Sequence, residues 1–152
     1  PAIDRAAMDG DPEAVRFPRA MMGEGLDFSF SGLKTAVVNH VRANPDMSSI
    51  DVAASFQAAV AEVLVTKARR AAEQAGATGI VLGGGVAANS LLREEILGAC
   101  EADGIQGFLP SRANCTDNAA MIAATAWYRL RSDGPTPLDA GAVPNLKLAF
   151  RD

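Results

Sequence analysis

The stretch Ile80-Val81-Leu82-Gly83-Gly84-Gly85-Val86-Ala87-Ala88-Asn89 constrains the fold of this chain more than any other. Three residues with strand preference run into three consecutive glycines, and a helical pattern follows at once. Ile and Val favour the pleated, buried setting of a strand. Glycine carries an entropic cost inside a strand or helix, so three together imply a sharp turn or a close approach to the backbone. A helix starting there presents unpaired N–H groups and the positive end of its dipole, which attract anions such as phosphate. A tight strand-to-helix turn with no ligand is the alternative reading.

The surrounding pattern alternates. Ser48-x-x-Asp51 has the form of a capping box. Behind it Val52, Phe56, Val60 and Val63 recur at helical spacing until Gly76 supplies a stop. This is the longest predicted helix, and its Lys67-Ala68-Arg69-Arg70 run is assigned to the helix dipole rather than to RNA. After the glycines, Leu92, Ile96 and Cys100 share a helical stripe, and Ile105 to Leu109 reads as a strand closed by Pro110. Ser111 to Cys115 is a loop, and Thr116 is the expected cap of a last helix containing Asp117 to Ala124.

Upstream, Pro1 to Met8 reads as a short helix, Asp9-Gly10-Asp11-Pro12 as a turn and Phe17-Pro18-Arg19 as extended chain. Leu26 to Phe30 alternates apolar and polar, which predicts a short strand with Leu26, Phe28 and Phe30 facing inward. Ser31 is the expected N-cap of a helix with Leu33, Val37 and Val41 on one face, ended by Asn44-Pro45. The run Ser31-Gly32-Leu33-Lys34-Thr35 is not a P-loop, because Leu33 separates glycine from lysine and the first glycine of that pattern is missing.

This order predicts an α/β layer with parallel strands over residues 1–133, followed by an extended, proline-bearing tail over 134–152. Two or three strands are fewer than a stable sheet normally has, so the remaining strands are expected upstream of Pro1, with this chain as the back half of a larger enzyme. A hydrophobic content of 49% with 21% charged residues is that of a globular chain. A net charge of −4 argues against a chain-wide nucleic-acid footprint and leaves room for a local basic patch. Cys100 and Cys115 form neither a C-x-x-C pair nor a zinc framework and read as reduced thiols of a cytoplasmic protein. No apolar run approaches the roughly 18 to 20 residues that cross a bilayer, and no signal peptide opens the chain, so no membrane role is expected.

In an open α/β sheet, ligands lie beyond the carboxyl ends of the strands. Gly83, Gly84 and Gly85 occupy that edge, as does the loop that leads from Leu109 to Asp117. Asn89 sits one turn behind the glycines, either as a nucleotide contact or as a polar residue of a first helical turn. Asp117 is either a helix-start carboxylate favoured by the dipole or an oxygen ligand for a hard cation at a phosphate site. His40 is the single histidine, expected at or near the surface, and it completes no catalytic triad or metal cage.

Three segments together, Phe28-Ser29-Phe30-Ser31-Gly32-Leu33-Lys34-Thr35, Gly83 to Asn89 and Cys115-Thr116-Asp117-Asn118-Ala119-Ala120-Met121-Ile122-Ala123, resemble one family. It is the tRNA threonylcarbamoyladenosine transferases, TsaD, formerly labelled glycoproteases or O-sialoglycoprotein endopeptidases. The similarity covers nearly the whole chain, as the C-terminal half of such an enzyme. The resemblance implies the actin/sugar kinase/Hsp70 (ASKHA) fold, two α/β lobes around a nucleotide cleft. It implies Gly83, Gly84 and Gly85 against the phosphate of an adenine nucleotide or threonylcarbamoyl-adenylate, and Asn89 as a contact to that ligand. Asp117 is then a ligand of an iron or zinc ion whose two histidine ligands lie in the other half. The implied partners are tRNA, a related subunit of the same fold and an ATPase subunit of the same pathway. The tail Ala142-Val143-Pro144-Asn145-Leu146 departs from the usual arginine- and proline-rich ending.

The expected activity is transfer of threonylcarbamoyl to N6 of the adenosine beside the anticodon, with this piece alone inactive. The competing readings are another phosphotransferase of the same fold, such as a sugar or acetate kinase, and a non-catalytic partner lobe. The old peptidase label carries little weight, because the sequence offers no nucleophile with a base.

Overall fold

The computed structural model describes residues 2–144 of the chain. It divides into two units, residues 1–116 and 117–152, each described by itself.

In the first unit one long helix carries most of the packing. The elements run α1 (Ala2–Ala7), α2 (Ser31–Ala43), α3 (Ser49–Ala75), β1 (Gly79–Val81), α4 (Ser90–Ala102) and β2 (Gln106–Phe108). Half of the expected capping box opens α3: Ser48 Oγ accepts from Asp51 N at 3.4 Å. The Asp51 carboxylate does not return to the cap but accepts from Asp11 N at 2.9 Å, tying down the turn after α1. Gly76 ends α3 in the left-handed region (φ 58°), and Ala77 N donates to Ala72 O at 2.9 Å, the hydrogen bond of a Schellman turn.

The N-terminal half of α3 gives Val52 and Ala59 to a cluster with Phe17 and Leu33, lined by Val37, Met47 and Phe56. Further along, Val65 joins Leu92, Ile96 and Cys100 beneath Ile80, Leu82 and Ile105 of the sheet layer. One helix therefore carries both cores. By length and composition α3 would suffice to cross a bilayer, contrary to the sequence expectation. Here it is the core helix, packed against α1, α2, α4 and β1.

The sheet is parallel, as the alternation predicts, with Gly79, Ile80 and Val81 opposite Gln106, Gly107 and Phe108. Gly79 is glycine for packing, since a Cβ there would fall 2.8 Å from the backbone oxygen of Gln106 on the paired strand.

Three local expectations fail. Leu26 to Phe30 is not a strand, and Phe28 is 50% exposed. Among the described residues no strand pairs with it, and its carbonyl side is taken instead by Lys67. That ammonium is buried (1% exposed) and donates to Glu24 O and Asp27 O at 2.6 Å each. Phe28 and Phe30 still share a side, stacked with centroids 6.2 Å apart, as the period of two requires. Ser31 is the first helical residue of α2 rather than its cap; Phe30 takes the cap position without a side-chain hydrogen bond. Val41 of α2 is exposed although Leu33 is buried.

The Lys67-Arg70 run is absorbed within the chain. Lys67 holds the loop carbonyls, Arg69 Nε donates to Asp103 Oδ2 at 2.7 Å, and Arg70 donates to Gly25 O and Met22 O at 2.9 Å each. The helix continues to Ala75, so these cations lie short of its last turn and act as cross-braces rather than as dipole partners.

In the second unit, α5 (Ala119–Asp133) starts two residues later than predicted. Asn118 is its N-cap, with Oδ1 accepting from Met121 N at 3.0 Å, in place of the expected Thr116. Trp127 packs edge-on to Tyr128 at 4.8 Å, and the Arg131 guanidinium lies 4.6 Å from the Trp127 centroid. α5 buries none of its residues. The divergent ending at Asn145 and Leu146 lies outside the described residues.

Candidate functional site

β1 and β2 deliver two segments to the carboxyl edge of the sheet. Leu82 N donates to Phe108 O at 2.9 Å, one step past the ladder, and the chain then enters the three glycines. Gly84 takes φ 85° and ψ 172°, a backbone region open essentially only to glycine. At Gly83, Gly84 and Gly85 an added Cβ would meet nothing within 4 Å. Packing against the described chain therefore does not account for glycine at 83 or 85. Open space over a triple-glycine turn leaves the backbone there approachable.

The helical pattern does not begin at the glycines as one element. A short 3-10 turn, Gly85–Ala88, comes first, closed by Ala87 N to Gly84 O at 2.9 Å and anchored by the fully buried Ala87. Asn89 is extended between this turn and α4 and is the N-cap of α4, Oδ1 accepting from Leu92 N at 2.9 Å. Its Nδ2 donates to Gln57 Oε1 of α3 at 2.9 Å. A primary amide has two N–H donors, and this hydrogen bond uses one of them.

The N-terminus of α4 already holds an anion from within the chain. Asp4 of α1 accepts from Ser90 N at 2.8 Å and from Ser90 Oγ at 3.0 Å, and Arg112 donates to the same hydroxyl at 3.0 Å. A carboxylate at this end is favoured by the dipole. Among the described residues, no backbone-to-backbone hydrogen bond is donated by the N–H groups of Gly83, Gly84 or Gly85.

Several of these partners carry no sequence signal. Asp4 and Gln57 reach the site from segments far upstream, and pattern reasoning within a short window cannot pair them. Arg93, one turn after Asn89, donates from Nη1 to Ala87 O at 2.8 Å and from Nη2 to Pro110 O at 2.9 Å. Its spacing from Asn89 was the available clue, since residues four apart share a helix face.

Asp117 lies immediately before the Asn118 cap, exposed, and belongs to the second unit. It is thus not in the first turn of α5. Among the described residues no group of three His, Cys, Asp or Glu converges to hold a metal. His40 is engaged elsewhere: Nε2 lies 2.9 Å from Met47 Sδ, and the ring packs edge-on to Phe17. Both cysteines are buried free thiols, and burial followed by the Asp103 charge pushes the Cys100 thiol up.

Comparison with known proteins gives a consistent result. A family model described as tRNA N6-adenosine threonylcarbamoyltransferase (TsaD) matches residues 1–124. The chain is 50% identical to the protein of that name from Moorella thermoacetica over 153 aligned positions, covering 97% of this chain and 45% of the relative. It is also 50% identical to the Symbiobacterium thermophilum protein, covering 99% of this chain and 45% of the relative. With the Geotalea daltonii protein the identity is 49%, covering 93% and 43% respectively. The chain thus spans less than half the length of these relatives.

Proposed function

The chain belongs to the tRNA N6-adenosine threonylcarbamoyltransferase family, and on that footing we propose that it is the C-terminal part of an enzyme that moves a threonylcarbamoyl group from its adenylate to N6 of the adenosine beside the anticodon of tRNA. The observation that carries the reading to particular residues is the open space over Gly83, Gly84 and Gly85 at the end of β1.

In this reading the chain is part of one lobe of an ASKHA fold, residues 1–133 with an extended tail, and the adenylate phosphate lies along the glycine turn. Backbone N–H groups there face the oxygen that gains charge as the carbamoyl carbon–oxygen bond breaks and AMP leaves. The N6 amine forms the new carbon–nitrogen bond and gives up one proton. The second amide hydrogen of Asn89 is free to contact the nucleotide while its oxygen keeps the helix cap. Asp117 offers one oxygen, which suits one position around an iron or zinc ion but cannot fill a site by itself; the other ligands come from the rest of the protein. Lewis-acid polarisation of the carbonyl is the chemistry a bound ion supplies there. The enzyme works in the cytoplasm, away from membranes, with tRNA, a related subunit of the same fold and an ATPase subunit as its partners.

The test is transfer from threonylcarbamoyl-adenylate to tRNA by the full-length protein. Modified tRNA is expected from the wild type, with loss of bound metal and of transfer in D117A while the fold is retained. A folded wild type with no transfer overturns the reading. Residues 1–152 alone are expected to be inactive, and measurable turnover by them overturns the division of ligands.

A further inference from the structure

We propose that Arg93 is a positioning residue that holds the glycine turn at a set distance from the segment leaving β2, so that affinity for a phosphate at the turn depends on its two-pronged guanidinium. This rests on the reading that the glycine turn receives an adenylate phosphate.

Backbone hydrogen bonds join the two segments only as far as Leu82 N to Phe108 O. Beyond that point, among the described residues, no backbone hydrogen bond connects 83–89 with 109–115. The link is made by side chains, chiefly Arg93. Its Nη1 donates to Ala87 O, in the 3-10 turn that follows the glycines, and its Nη2 to Pro110 O, just past β2. The same Nη1 lies 3.9 Å from the buried Cys115 Sγ. A planar fork with fixed donor directions can span two carbonyls at once, which a lysine ammonium on a flexible stem does less well.

Among the described residues, the ion pairs are those of Arg19, Arg69 and Arg129, and Arg93 is in none of them. Its half-buried guanidinium is given instead to the Ala87 and Pro110 carbonyls and lies beside the Cys115 thiol, a role set by the geometry of the fork.

The experiment uses the full-length protein with R93K and R93A, reading AMP affinity by calorimetry, KM for threonylcarbamoyl-adenylate and for tRNA, and the thermal midpoint. R93K keeps the charge and is expected to fold with a midpoint near the wild type. It should bind AMP about tenfold more weakly and raise KM for the adenylate while leaving KM for tRNA unchanged. R93A should lose more, and millimolar guanidinium should restore part of its AMP affinity where sodium chloride does not. AMP affinity equal to wild type in folded R93K overturns the positioning role and leaves the glycine-turn reading standing. Failure of the wild type to bind AMP overturns both. If R93A does not fold, R93K decides alone.

Discussion

Asn89 Nδ2 donates to Gln57 Oε1 across 2.9 Å, which ties the N-cap of α4 to the core helix α3. One side chain thus serves the fold with its oxygen and one amide hydrogen, and the proposed nucleotide contact falls to the other hydrogen. N89D keeps the cap oxygen, and Gln57 can rotate its amide to donate, so its unfolding midpoint should stay near the wild type. N89A loses the cap and should cost about 1 kcal/mol in urea unfolding. Nucleotide affinity should fall in both. Affinity that tracks stability, with N89D binding normally, would reduce Asn89 to a cap.

The three glycines separate in the same way. G84A places a Cβ at φ 85° and should cost about 1 to 3 kcal/mol of stability. G83A and G85A meet no atom within 4 Å and should leave the midpoint nearly unchanged while weakening nucleotide binding. Unaltered binding in both would mean that the open space is not a ligand site.

Lys67 answers for the loop before α2. K67M removes the cation and leaves the carbonyls of Glu24 and Asp27 without their buried donor, at a cost of about 3 kcal/mol. Amide hydrogen exchange across residues 22–30 should quicken more than in α4. Uniform loosening of the whole unit would count against a local brace.

Two carboxylates give opposite pH responses. Burial, then the charges of Glu62 and Glu94, raises the Glu95 carboxyl above the ordinary glutamate range. The stability it contributes is fully present below that ordinary range and is lost as pH rises through its raised value. E95Q should therefore stabilise the protein at neutral pH and make little difference in acid. The hydrogen bond from Arg69 lowers the Asp103 carboxyl, so its contribution is present above the ordinary aspartate range and lost as pH falls through its lowered value. D103N should destabilise at neutral pH, by an amount that shrinks on acidification. Midpoints measured across pH for both variants check the two signs together.

Local chemistry was legible where it acts over a few residues. The glycine turn, the cap at Ser48, the stop at Gly76, the stripe of Leu92, Ile96 and Cys100 and the parallel pairing of two strands all follow from spacing and residue type. Two caps were misplaced locally, at Ser31 and Thr116, whereas two other segments were misread because a distant partner decided them. Leu26 to Phe30 alternates like a strand but lies beside a buried ammonium instead of another strand. The basic run of α3 looks like a dipole partner or an RNA patch and is spent on loop carbonyls and on Asp103.

By itself, then, the sequence determined the periodicities, the turns and the family, because these depend on contacts within a few residues or on motifs in order. Only the tertiary structure decided that Asp4 fills the end of α4, that Gln57 shares Asn89 and that Arg93 joins the two strand exits. Those pairings are set when α1, α3 and the strand exits are brought against α4, and no local pattern encodes which donor will then face which acceptor.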